Sequence, residues 1–117
     1  MRVSDRVREI EKAARQYAFV RYVVKVDETH YSIKYRLHIE ADLFVQLYFN
    51  ERSGTVGLAL IHQGQRLYGR DCEAGYWHRH PMRDPVLHDS TTEGIQAVSV
   101  DEFLMEVQDI LVRANLI

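Results

Sequence analysis

The sequence predicts an α+β domain spanning 1–117: an antiparallel sheet of about five meandering strands, flanked by an N-terminal and a C-terminal helix. Three observations carry this reading. Apolar residues recur at helical spacing near the start of the chain. They alternate strictly with polar ones from Tyr31 to Phe49. A capping-box signature then opens a second helical run at Ser99.

Residues 4–18 read as the first helix. Val3, Val7, Ile10, Ala14 and Tyr17 share one face, and Arg6, Arg8, Glu9, Lys12 and Arg15 fall largely elsewhere. Ser4 is the expected N-cap, and Asp5 suits the positive end of the helix. Phe19–Val26 is β-branched and aromatic, a strand by composition, with a turn at Asp27–Thr29. The odd positions from Tyr31 to Phe49 are all apolar, and the tyrosines at 31 and 35 belong to that core stripe. One straight strand of that length would be unusual, so a turn is placed at Glu40–Asp42. A three-residue loop pairs Ile39 with Leu43, Leu37 with Val45 and Ile33 with Phe49, keeping one face apolar. Thr55–Ile61 and Arg66–Asp71 complete the strands, joined by a turn at His62–Gln65. Regularity then fails, with Gly75, Pro81, Pro85 and Gly94 punctuating a long loop. Ser99 and Glu102 cap a helix carrying Phe103, Leu104, Val107, Ile110, Leu111 and Ala114. The two helices cover the apolar sheet face, and one edge strand is left open to a partner.

Composition narrows the function classes. The chain is 46% hydrophobic and 27% charged, the balance of a folded globular domain rather than a disordered one. A single cysteine excludes an intrachain disulfide and fits a reducing compartment. No apolar run reaches the roughly 18 residues of a membrane span, and the charged N-terminus lacks a signal core. The cytoplasm is the expected compartment. The net charge of −2 conceals an asymmetry: residues 1–36 hold nine Lys/Arg, and residues 84–117 hold seven Asp/Glu. The basic end could meet nucleic acid or an acidic partner, or two surface helices simply differ in charge.

The chemistry concentrates between Arg66 and His88, in RLYGRDCEAGYWHRHPMRDPVLH. His78 and His80 form a His-x-His pair whose rings share a side in extended chain. With Asp71 and His88 they could hold zinc, manganese or nickel, although the spacing matches no strong metal signature. The alternative is metal-free acid–base chemistry. Histidine can accept a proton from a ribose 2′-hydroxyl, and Arg70, Arg79 or Arg83 can neutralise a developing phosphorane. Trp77 could stack on a base or anchor the loop on the core. Arg70–Asp71 could equally be a structural ion pair, and Cys72 a small buried residue. The candidate catalytic set is therefore Asp71, His78, His80, His88 and Arg70, with Arg79, Arg83 and Trp77 binding substrate. The pattern assigns no cofactor and no committed metal ligands.

With these residues in view, the chain resembles the TumE-like family of small prokaryotic proteins, toxins of toxin–antitoxin pairs. The resemblance covers roughly 19–112. It rests on Tyr31–Ile39, on Gly69-Arg70-Asp71-Cys72, on His78-Arg79-His80-Pro81 with Pro85-Val86-Leu87-His88, and on Ser99–Leu111. Asp71, His78, His80 and His88 match the motif positions, while Cys72 stands where the family pattern has Asn, and one histidine closes the second cluster where two are usual. The resemblance implies a toxin partnered by a small, often DNA-binding, antitoxin. The clustered His, Arg, Asp and Trp point such a toxin at RNA or at the translation machinery, with the histidine loop as its working surface. A homodimer is compatible with this reading and with a non-catalytic interaction module.

Overall fold

The computed structural model describes residues 2–82, 89 and 91–117. The element order is α1 (Val3–Gln16), β1 (Tyr22–Glu28), β2 (Ser32–Glu40), β3 (Leu43–Asn50), β4 (Val56–His62), β5 (Gln65–Glu73), β6 (Tyr76–His80) and α2 (Val100–Arg113). All strands lie in one antiparallel sheet in chain order. The α+β architecture is thus as expected, with six strands instead of about five.

The additional strand is β6, in the segment that reads as irregular in sequence. Its hairpin turns on Ala74 and Gly75, with φ of +51° and +82°. Positive φ at both central residues is the signature of a turn that matches strand twist. Glycine adopts it freely, but alanine does so only at a cost. The β4–β5 turn repeats the solution at Gln63 and Gly64.

The β2–β3 register places Leu37 opposite Val45 and Ile33 opposite Phe49, as expected. Leu43 instead meets Glu40, with a register shift between His38 and Glu40. The turn is short, and the extra residue enters as a bulge. Parity is preserved either way, so Ile39, Leu43, Val45, Leu47 and Phe49 are all buried. Tyr35 is buried too, whereas Tyr31, expected in the core, sits before β2 and is 37% exposed.

Both helices pack on one sheet face. Ile10, Ala13 and Ala14 of α1 and Val100, Phe103, Leu104, Val107 and Leu111 of α2 join the sheet's apolar residues in one core. Each fully buried Leu or Phe contributes about 1.5–3 kcal/mol. The Ser99–Glu102 capping box forms at α2. At α1 the N-cap is Arg2, without a side-chain cap, and Ser4 lies inside the helix. The Val3 amide donates instead to the Glu51 carboxylate (2.9 Å), supplied by the β3–β4 turn. Glu9 of α1 likewise accepts from the Val100 amide (3.0 Å), placing a carboxylate at the positive end of α2.

Among the described residues, no helix packs on the opposite sheet face. β1 is exposed along its whole length and forms an open edge. At the other edge, Arg79 and Asp89 exchange backbone hydrogen bonds, so the chain returns alongside β6. Among the described residues no helix is long and apolar enough to cross a membrane.

Candidate functional site

The β5–β6 register brings the sequence candidates together. Asp71 lies opposite His78, and Gly69 opposite His80. Side chains two apart in a strand share a face, so Asp71, His78 and His80 converge on the sheet face opposite the two helices. His80 Nε2 lies 2.9 Å and His78 Nε2 3.7 Å from Asp71 Oδ2. The two imidazole rings meet edge to face, 5.0 Å between centroids. His80 is buried, while Asp71 and His78 are half-buried.

A fourth member, Arg66, joins them. Its guanidinium reaches Asp71 Oδ2 at 3.8 Å and His80 Nδ1 at 3.2 Å. By simple alternation Arg66 would sit with Tyr68 and Arg70 under the helices. The register between β4 and β5 shifts, however: Leu60 faces Tyr68 but Ile61 faces Arg66. That one-residue bulge sends Arg66 to the face opposite the helices. Gly69 clears its path, since a Cβ there would stand 3.3 Å from Arg66 Cδ and 3.0 Å from the Leu58 carbonyl oxygen.

An arginine N–H can only donate, so the Arg66 contact suits the His80 tautomer that carries its proton on Nε2 and donates it to Asp71. His80 thereby holds the Asp71 carboxylate in place. His78 lies beside the same carboxylate and is the more accessible of the two rings.

Asp71, His78 and His80 also offer one ligand atom each, all within 4.8 Å of one another. Two histidines and a carboxylate suit a divalent transition metal. The surroundings favour it less. A ligating histidine normally donates its second N–H to an acceptor, and His80 presents that nitrogen to a cationic donor.

The other candidates lie elsewhere. Arg70 points under the helices, where it is buried and donates to Glu106 through Nε (3.1 Å) and Nη2 (2.6 Å). It also donates to the Glu93 carbonyl (2.9 Å). Burial opposes its charge, and the Glu106 carboxylate more than offsets this, so its pKa is raised. Arg70 is therefore structural, but through Glu106; the expected Arg70–Asp71 ion pair is not the one observed, because alternation along β5 sends the two side chains to opposite faces. Arg79 also leaves the cluster, pairing with Asp89 through Nε (2.8 Å) and with Glu93 (3.2 Å). The Asp89 carboxyl is held well below the ordinary carboxylate range by Thr91 first and then by Arg79. Trp77 lies opposite Cys72 and packs against the core, the anchoring role rather than an open stacking surface. Cys72 is buried as a small core residue. Arg83 and His88 lie outside the described residues.

Sequence reasoning did not single out Arg66 or Glu106. Arg66 stands at the head of the histidine-rich stretch, but only the bulge reveals its face. Glu106 is an ordinary charge on α2 until Arg70 is seen beneath it. No protein-family model matches the chain, and no curated protein or solved structure is significantly similar to it.

Proposed function

We propose that this protein is the toxin of a toxin–antitoxin pair, acting in the cytoplasm on RNA through metal-free acid–base chemistry at Asp71, His78, His80 and Arg66. The observation behind the reading is the convergence of two imidazoles, a carboxylate and a guanidinium on one partly exposed spot. In this scheme His78 takes the proton from a ribose 2′-hydroxyl, and the 2′-oxygen attacks the adjacent phosphorus. Arg66 offsets the charge gathering on the phosphorane oxygens. The 5′-oxygen departs and is protonated by solvent, leaving a 2′,3′-cyclic phosphate. Asp71, fixed by His80, steadies the His78 cation.

The resemblance in the Asp71, His78 and His80 segment supports the toxin assignment. The exposed β1 edge offers backbone donors and acceptors to an antitoxin strand or to a second copy of the chain. The test is growth inhibition on induced expression. His78→Ala should abolish it while preserving the circular dichroism spectrum and Tm, because this ring is not in the core. Full toxicity of His78→Ala would end the proposal.

The 4.8 Å cluster of ligand atoms favours one other reading, a metal-binding protein. Elemental analysis of tag-free protein separates the two. Stoichiometric zinc, manganese or nickel that disappears in Asp71→Ala would establish it, and sub-stoichiometric metal would dismiss it.

A further inference from the structure

The sheet face on which no described helix packs continues from the Asp71 cluster across the central strands. Its positions align in rows. One row runs Lys34, Tyr48, Gly57, Asp71 and His78, each the register partner of the next. The neighbouring row runs Arg36, Gln46, Ala59, Gly69 and His80. These are the half-buried positions that alternate with the core residues of β2, β3 and β4.

The chemistry changes along the rows. Nearest the cluster, Gly57 and Ala59 leave the sheet low. Beyond Gly57 stands Tyr48, and in the adjoining row Phe44, each with a cation over its ring. The Arg36 guanidinium carbon is 4.7 Å from the Phe44 ring centroid, and Lys34 Nζ is 6.0 Å from that of Tyr48. On β2, β3 and β4 the partners in these rows include no carboxylate; on the β1 edge, Asp27 is the register partner of Lys34. Aromatic faces interleaved with Lys and Arg, on a sheet, recognise bases by stacking and phosphates by charge. A docking protein strand would use the backbone edge instead, and a membrane would want apolar tips in place of these cations.

We infer that this face is a track for single-stranded RNA. A base stacks on Tyr48, Lys34 and Arg36 meet the phosphates, and the low stretch at Gly57 and Ala59 leads the backbone to Asp71 and His78. Tyr48 is two strands from Asp71, about 10 Å at the usual strand spacing, within reach of the nucleotide flanking a phosphate at the cluster. The inference rests on the RNA reading of that cluster and extends it to substrate binding.

The test uses the intact protein and a fluorescein-labelled 2′-O-methyl oligoribonucleotide, which binds but offers no 2′-hydroxyl to attack. Fluorescence anisotropy reads Kd. Tyr48→Ala should raise Kd about tenfold, the loss of one base stack. Gln46→Glu guards against misfolding: Arg36 already donates to Gln46 Oε1 (3.1 Å), so the isosteric carboxylate captures Arg36 without disturbing packing. It should raise Kd several-fold with no fall in Tm. Absence of binding, or a Kd indifferent to both changes, would overturn the track. So would binding of a protein partner over Lys34 by a chain that takes no oligonucleotide. The two levels separate cleanly. Variant-sensitive binding without cleavage of unmodified RNA leaves the track and removes the chemistry. Cleavage with variant-insensitive binding does the reverse.

Discussion

Replacing Arg70 by Ala tests whether the cluster has been divided correctly from its neighbours. Arg70 adjoins Asp71 in sequence and was a catalytic candidate, yet its side chain lies on the other side of the sheet. The substitution removes two charge-assisted hydrogen bonds to Glu106 and one bond to the Glu93 carbonyl. Removing one partner of a buried ion pair costs about 3–5 kcal/mol. Glu106 keeps some contact with water, its side chain 27% exposed, which places the expectation at the low end, about 3 kcal/mol. At about 2.1 cal/mol/K per residue, a chain of this length loses about 4 °C of Tm per kcal/mol, so Tm should fall by about 12 °C. Differential scanning calorimetry reads the shift. RNA cleavage per folded molecule, measured well below the lowered Tm, should match wild type. Combining Arg70→Met with Glu106→Leu should recover much of the loss, because no buried charge then stands alone. An unchanged Tm with lost activity would refute the division and return Arg70 to the site.

Other outcomes follow from the same geometry. Ala74→Gly relieves the positive φ at the β5–β6 turn and should raise stability by about 0.5–1 kcal/mol in urea unfolding, whereas Ala74→Val should lower it. Burial first, and then the Glu106 carboxylate that accepts its hydroxyl proton, push the Tyr68 pKa from 10.0 up to about 12. The fold therefore favours neutral tyrosine: that stability is complete below pH 10.0 and is lost as pH climbs towards about 12. Tyr68→Phe should flatten the alkaline limb of a Tm-against-pH curve. Nitrogen NMR of the imidazoles should show a proton on His80 Nε2 facing Asp71, and Arg66→Ala should loosen that tautomer preference.

Much of the scaffold was legible because it obeys simple periods. Strict alternation from Tyr31 to Phe49 sets which side of β2 and β3 is buried, and Ser99 with Glu102 announces α2. What escaped depends on single residues acting against their preferences. Ala74 occupies a turn position that glycine or asparagine usually marks, so β6 looked like loop. Ser4 resembles a cap, but Glu51, distant in sequence, satisfies the first turn of α1. In the site, the His-x-His spacing was legible as soon as the segment was taken as extended. The partition of the arginines was not. Arg70 and Arg79 face away from Asp71 by alternation within β5 and β6, and Arg66 faces it only through the bulge opposite Leu60 and Ile61.

The central claim is that Asp71 and His78 form an acid–base centre working on RNA without a metal. Purified protein is mixed with a single-stranded RNA in excess chelator, and the new ends are identified by mass spectrometry. The account predicts 2′,3′-cyclic phosphate termini from wild type and intact RNA with His78→Ala. Cleavage that stops on chelation, or that His78→Ala leaves at full rate, would contradict it.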